Sequence, residues 1–147
     1  MARNDPLRNF RFRVEIDNIA RAGFAEVSIG ANTTEAIDYR EGTDPAHVRK
    51  LSGLTRYGNV ILKSGLTTGA DALELYRWKA DVSSGLLVQN RRHVVIIVQD
   101  EAGQDQARFV VSNAWPVKYE TSNLGAKGND VIIETLELAN EGIERVQ

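Results

Sequence analysis

The segment Phe10-Arg11-Phe12-Arg13-Val14-Glu15-Ile16 alternates apolar and charged residues without interruption. A period of two is the mark of a strand buried on one side only, so Phe10, Phe12, Val14 and Ile16 share one sheet face. Such a strand needs partners, and the rest of the chain supplies them. Asp17-Asn18 has turn chemistry, after which Ala25, Val27 and Ile29 alternate with Phe24, Glu26 and Ser28 up to Gly30; this predicts a hairpin partner. Thr34 to Tyr39 is a third extended piece, closed by Glu41-Gly42-Thr43-Asp44-Pro45. Further strands are predicted over Tyr57–Lys63, Arg92–Gln99, Ala107–Trp115 and Val131–Leu138, with a turn at Asp100-Glu101-Ala102-Gly103.

One helix interrupts the series. Asp71-Ala72-Leu73-Glu74 has capping-box spacing, and Leu75, Trp78 and Val82 then fall on one face before Ser83-Ser84-Gly85, a stripe suited to covering a sheet. About seven strands and a single flanking helix make the chain mainly β, an antiparallel barrel or sandwich. With 147 residues, 42% hydrophobic, one domain spanning 1–147 is expected.

Two segments resist this scheme. Gly42 to Thr55 reads as a loop, mixing Pro45, Gly53, Arg49 and Lys50 with Val48, Leu51 and Leu54. Three large apolar residues have little use in a solvated loop, so they either tuck back on their own core or are covered by another surface. Glu120 to Asp130, with Asn123, Gly125, Gly128 and Asn129, reads as a long polar loop.

Catalytic and binding chemistry is hard to find. The absence of cysteine excludes disulfides, thiol nucleophiles and cysteine-ligated metals. A net charge of −2, with 18 basic and 20 acidic residues dispersed along the chain, offers no field for collecting nucleic acid. No apolar run approaches the roughly 20 residues needed to span a bilayer, and the polar amino terminus lacks a secretory signal, which predicts synthesis in the cytoplasm without membrane insertion. His47 follows Asp44 by three residues in the loop, with no geometric reason to converge, and His93 opens a strand. Asp100-Glu101 lies in a turn, and Glu134 and Glu137 read as surface carboxylates. Gly125-Ala126-Lys127-Gly128 lacks the spacing of a phosphate loop, and no Gly-x-Ser-x-Gly occurs. No catalytic group, cofactor or metal is expected.

The order of motifs carries more information. Asp5-Pro6-Leu7-Arg8-Asn9 running into the first strand, Ala22-Gly23-Phe24-Ala25-Glu26-Val27-Ser28, Tyr39-Arg40-Glu41-Gly42-Thr43-Asp44-Pro45, Val48-Arg49-Lys50-Leu51-Ser52-Gly53-Leu54, Tyr57-Gly58-Asn59-Val60-Ile61-Leu62-Lys63 and Leu75-Tyr76-Arg77-Trp78 together resemble the tail-tube family of contractile bacteriophages and phage-derived injection systems. Ser52 stands where relatives commonly carry proline. The resemblance implies a structural subunit that closes hexameric rings, the rings stacking into a hollow inner tube inside a contractile sheath. Its implied partners are further copies of itself, the sheath, baseplate and tail-terminator proteins, and DNA or protein cargo in the lumen; its implied final location is the tail or injection particle. If each subunit lends four strands, roughly 24 strands at ~4.8 Å spacing and about 40° tilt give a barrel ~48 Å across.

The segment Glu41 to Thr55 is then expected to form the contact between rings, with Val48, Leu51 and Leu54 buried against the next ring. Glu41, Asp44, Pro45, Arg49 and Lys50 would surround them. Two alternatives remain at this stage: a monomeric barrel that carries a small molecule, and a baseplate protein of the same fold that initiates the tube.

Overall fold

The computed structural model describes residues 11–17, 24–43, 46–66, 72–86, 91–124 and 131–147. They form strands β1 (Phe12–Ile16), β2 (Glu26–Ser28), β3 (Asn32–Tyr39), β4 (Arg49–Tyr57) and β5 (Val60–Gly65), then helix α1 (Glu74–Ser83). Strands β6 (Arg92–Gln99), β7 (Asp105–Thr121), β8 (Ile133–Ala139) and β9 (Gly142–Arg145) follow. An antiparallel succession β1-β6-β7-β8-β5-β2, with β9 added to β7, makes the main sheet, and β3 and β4 form a separate ribbon.

The 17-residue β7 joins two halves of the main sheet. Its first part pairs with β6 as far as Ala114, and Trp115 to Thr121 pair with β8. Strand β9 continues the line of β8 along the same side of β7, since Trp115 faces Ala139 and Ser112 faces Gly142. The line breaks at Asn140-Glu141, opposite Asn113, whose φ of 50° is a left-handed conformation that asparagine tolerates. The halves enclose a core of Val14, Ile16, Val60, Leu62, Val94 and Ile96, continued by Val111, Leu136 and Leu138.

Alternation explains these faces. In β5 and β8 every second side chain is buried, and the residues between them are partly exposed. Leu75 and Trp78 of α1 are buried in the same core, and Val82 packs against it. The Arg92 guanidinium lies 5.1 Å from the Trp78 ring centre. Burial there lowers the Arg92 pKa from its usual value, while Asp81, Glu74 and Asp17 pull the other way.

Several expectations need correction. β1 and β2 are not a hairpin: β1 pairs with β6, and β2 with β5. A three-residue β2 cannot satisfy the five-residue β1, whereas β6 matches it residue for residue from Phe12↔Val98 to Ile16↔Val94. Residues 49–55 are not loop but most of β4. Gly53 does not break that strand; it lies where the β3–β4 register shifts between Thr34 and Ala36, and a Cβ there would approach Ile37 Cδ1 to 2.9 Å. Glycine at a strand irregularity marks a bulge rather than an end. The expected strand Tyr57–Lys63 is split at Gly58-Asn59 between β4 and β5. Helix α1 begins at Glu74, after Leu73, with no side-chain cap; Asp71 of the expected capping box lies outside the described residues. Strand β7 extends to Thr121, so the polar loop starts later than predicted, and its 125–130 part lies outside the described residues. Glu134 is buried, not a surface carboxylate, because it shares the inward parity of Leu136 and Leu138, and it accepts a hydrogen bond from the Tyr119 hydroxyl.

The base of the ribbon is a glycine crossing. Gly58 N–H donates to the Ala31 carbonyl at 2.8 Å, and Asn140 Nδ2 donates to the Gly58 carbonyl at 2.9 Å. A Cβ on Gly30 would lie 2.2 Å from the Gly58 carbonyl carbon, so Gly30→Ala forces backbone apart. It is expected to destabilise by at least about 1–3 kcal/mol, the usual cost of overpacking. Gly42→Ala, where a Cβ meets nothing within 4 Å, serves as the control in thermal unfolding.

At the β6–β7 turn, Asp100 Oδ1 accepts the Gln104 and Ala102 N–H groups, each at 2.9 Å, and Oδ2 accepts Gln106 Nε2 at 3.1 Å. These bonds, that of Gln104 foremost, hold the Asp100 carboxyl below its usual pKa against a smaller opposing effect of desolvation. A depressed carboxylate pKa stabilises the fold above the unfolded value of about 3.9 and loses that contribution as pH falls through the folded value. An NMR titration is expected to show Asp100 still ionised where exposed carboxylates are half protonated.

Candidate assembly surfaces

The β3–β4 ribbon stands apart from the core, and nearly all of its residues are exposed. Its pairing runs from Asn32↔Tyr57 at the base to Tyr39↔Arg49 near the tip, with Thr34 and Thr55 hydroxyls 2.9 Å apart and Lys50 bridged to Asp38. Beyond the bulge, Ile37 faces Leu51 across the ribbon. Val48, Leu51 and Leu54 are 48%, 49% and 67% exposed, so they do not tuck back on their own core. Ile37 and Tyr39 add to this apolar surface. Sequence reasoning missed both, although their alternation in Thr34–Tyr39 was the available signal. Tyr39 donates its hydroxyl to Glu41, and this bond, foremost, raises its pKa above the usual phenol value. Arg49 and Lys50 lie in β4, Glu41 follows β3, and Asp44 and Pro45 lie outside the described residues.

A second surface is the four-stranded half β7(115–121)-β8-β5-β2. Its outer face carries Glu26, Lys63, Thr135 and Glu120 in one row and Ser28, Ile61, Glu137 and Lys118 in the next. The charges are matched locally: Lys63 lies 3.8 Å from Glu26, and Lys118 lies 3.0 Å from Glu120. Glu137 accepts Asn59 Nδ2 at 3.2 Å. Glu120, foremost, raises the Lys118 pKa. Both edges of this half lack a strand neighbour among the described residues: β2 is terminal in the sheet, and β6 has left β7 by Ala114. Successive pairs are all antiparallel, so the two open edges run in opposite directions.

Among the described residues, His47 and His93 do not converge on a shared site. His47 is exposed beyond the ribbon, and His93 is exposed at the start of β6, where its backbone N–H donates to Asp17 at 3.1 Å. Among the described residues no group of three or more His, Asp or Glu could hold a metal ion, and no helix is long and apolar enough to cross a membrane.

This arrangement matches known proteins. A chain in the cryo-EM structure of the anti-feeding prophage baseplate aligns over 98% of this chain and 97% of its own, at 24% identity and a TM-score of 0.77. A chain of an extracellular contractile injection system, the PVC sheath-tube complex in its extended state, aligns over 95% of this chain and 90% of its own, at 24% identity and 0.79. A chain from the PVC sheath/tube terminator aligns over 99% of this chain and 100% of its own, at 21% identity and 0.79. These likenesses establish a shared fold. No curated protein matches in sequence. The family model for the T4-like virus tail tube protein gp19 matches residues 8–144, so the chain belongs to that tail tube family and is a structural tube subunit.

Proposed function

We propose that six copies of this chain close into a ring and that rings stack through the β3–β4 ribbon into a hollow tube. The observation that carries the ring is the four-stranded half with two open edges of opposite direction. Joining β2 of one copy to the 115–121 part of β7 in the next continues an antiparallel sheet, and closure leaves neither of these two edges exposed. A head-to-tail contact with the right rotation ends itself at a fixed number. Six is supported by the 6-fold symmetry of the similar prophage baseplate. Four strands per copy keep the alternation of direction unbroken around the ring.

In this reading the face of Glu26, Lys63, Lys118, Glu120, Thr135 and Glu137, where two Glu–Lys pairs form and Glu137 accepts from Asn59, lines the lumen. A polar wall whose charges are already partnered lets DNA or protein cargo pass without retaining it. The mechanism is mechanical: a sheath supplies the force, the tube transmits it, and no catalytic group is required. Sheath, terminator and baseplate proteins are the partners, as in the assemblies that contain the similar chains. The subunit's place is the assembled tail or injection particle. Similarity to a chain in a baseplate structure favours one second reading, a tube-initiating subunit of the same fold.

Negative-stain microscopy of the purified chain tests both. Six-fold rings and tubes of open-ended length are expected. Rings that never stack would favour the initiator, and a monomer at every protein and salt concentration would overturn the ring.

A further inference from the structure

Two strands end the main sheet, and both border one cleft. Along β1-β6-β7-β8-β5-β2 every neighbouring pair is antiparallel, so the terminal strands β1 and β2 run in opposite directions. Between them lies a cleft of about 250 Å³, lined by Phe12 of β1, Val27 of β2, Ile29 just after it, and Ile96 and Val98 of β6. Its two lips carry opposite charges, Arg11 before β1 and Glu26 at the start of β2, the latter 3.8 Å from Lys63. Gln99 N–H donates to the Arg11 carbonyl at 3.0 Å, and Asp17 N–H donates to the His93 carbonyl at 3.2 Å. Bonding positions alternate along an antiparallel strand. The backbone groups of Arg13 and Glu15 therefore face β6, and those of Phe12, Val14 and Ile16 turn to the other side, where β1 has no strand neighbour among the described residues.

We infer that this slit is an assembly switch. When it closes, β2 pairs with β1 of its own copy and completes a six-stranded barrel; when it stands open, as here, β2 is offered to the next copy. The inference rests on the ring reading, in which the same free side of β2 meets the neighbour's β7. One strand side holds one partner, so closing the slit and closing the ring exclude each other. Direction and charge both suit the closed form, since β1 and β2 are already opposed and Arg11 and Glu26 would become cross-strand neighbours of opposite sign. β2 is also the strand best able to move. Only three residues pair it with β5, and short pairings open at low cost. Because it is shorter than β1 it covers only part of that edge, which keeps the closed pairing reversible. A subunit that can hide its ring-forming edge is protected from premature pairing with other chains.

Cysteine pairs test this in a chain that has no cysteine of its own. A disulfide needs Cα atoms no more than about 7 Å apart, a distance that paired strands reach. Phe12→Cys is combined with Val27→Cys in one variant and with Ile29→Cys in another. In dilute, monomeric protein one of the two pairs is expected to oxidise. The cross-linked copy should then stay monomeric at concentrations where its reduced form gives rings, and reductant should restore the rings. Failure of both pairs to oxidise would overturn the closed form. Rings from the parent chain and from the cross-linked copy alike would overturn the switch alone, whereas a parent chain that never forms rings would overturn the ring reading and the switch with it. Should the cysteine variants not fold, Arg11→Glu places like charges on both lips without touching the core. It is expected to form rings faster than the parent chain, and an equal or slower rate would overturn the switch.

Discussion

Replacing Leu51 and Leu54 together by Asp is expected to abolish tubes while leaving the ring and the fold intact. Both side chains stand in β4, about half or more exposed and outside the core cluster, so folding does not depend on them. Burying the exposed parts of these two leucines in a ring junction contributes about 2–3.5 kcal/mol per copy, before the cost of ordering the ribbon. Asp in their place removes that term and adds the cost of burying carboxylates with no designed partner. Because every copy in a ring makes the same contact, the loss is multiplied around it, and median tube length should fall to single rings. The readout is particle length by negative-stain microscopy, alongside a thermal unfolding profile that stays close to that of rings of the parent chain. Unchanged tube length would place the stacking energy elsewhere.

Trp78→Ala is expected to produce the largest loss of stability. Trp78 is fully buried between α1 and the sheet, in the same cluster as Leu75, Val94 and Leu136. Truncating a buried tryptophan costs about 3–5 kcal/mol, made up of lost transfer energy and the cavity left behind. Arg92 adds to it: the guanidinium packs over the indole, and without the ring a partly buried cation loses its aromatic neighbour. For a domain of this length the melting temperature should fall by something of the order of 10 °C. The measurement belongs in the Leu51→Asp, Leu54→Asp background, where stacking cannot mask the change by mass action. Tyr76→Ala, on the exposed side of the same helix, should cost far less, and equal losses for the two would contradict the burial of one helix face.

How far the chain could be read without its structure differs by element. β6 is recovered at its observed limits, and the inward parity of Phe12, Val14 and Ile16 in β1 holds, because a half-buried strand writes its face into a two-residue period. Leu75 and Trp78 stand out for the analogous reason in a helix. β4 escaped because both of its faces are exposed, so burial imposes no alternation on it, and Gly53 looked like a terminator when it marks a bulge. β9 is a short continuation of β8 past a break, with too few residues to carry a pattern. Glu134 was misjudged because a charged residue was read by type, when its parity with Leu136 and Leu138 already placed it inside.

The amino-acid sequence by itself determined that the chain is mainly β with one covering helix, which faces of its regular strands turn inward, and, through the order of its motifs, the family. The first two are local properties, set by side-chain period and turn chemistry within a few residues, and the third rests on motif order along the chain. Tertiary structure alone decided that β1 joins β6 and β2 joins β5, that β7 spans both halves of the sheet, and that the β3–β4 ribbon stands apart with its apolar side chains exposed. Strand partners are chosen by the packing of segments far apart in the chain, and the edges left without a partner follow from that choice, so no local pattern could announce them.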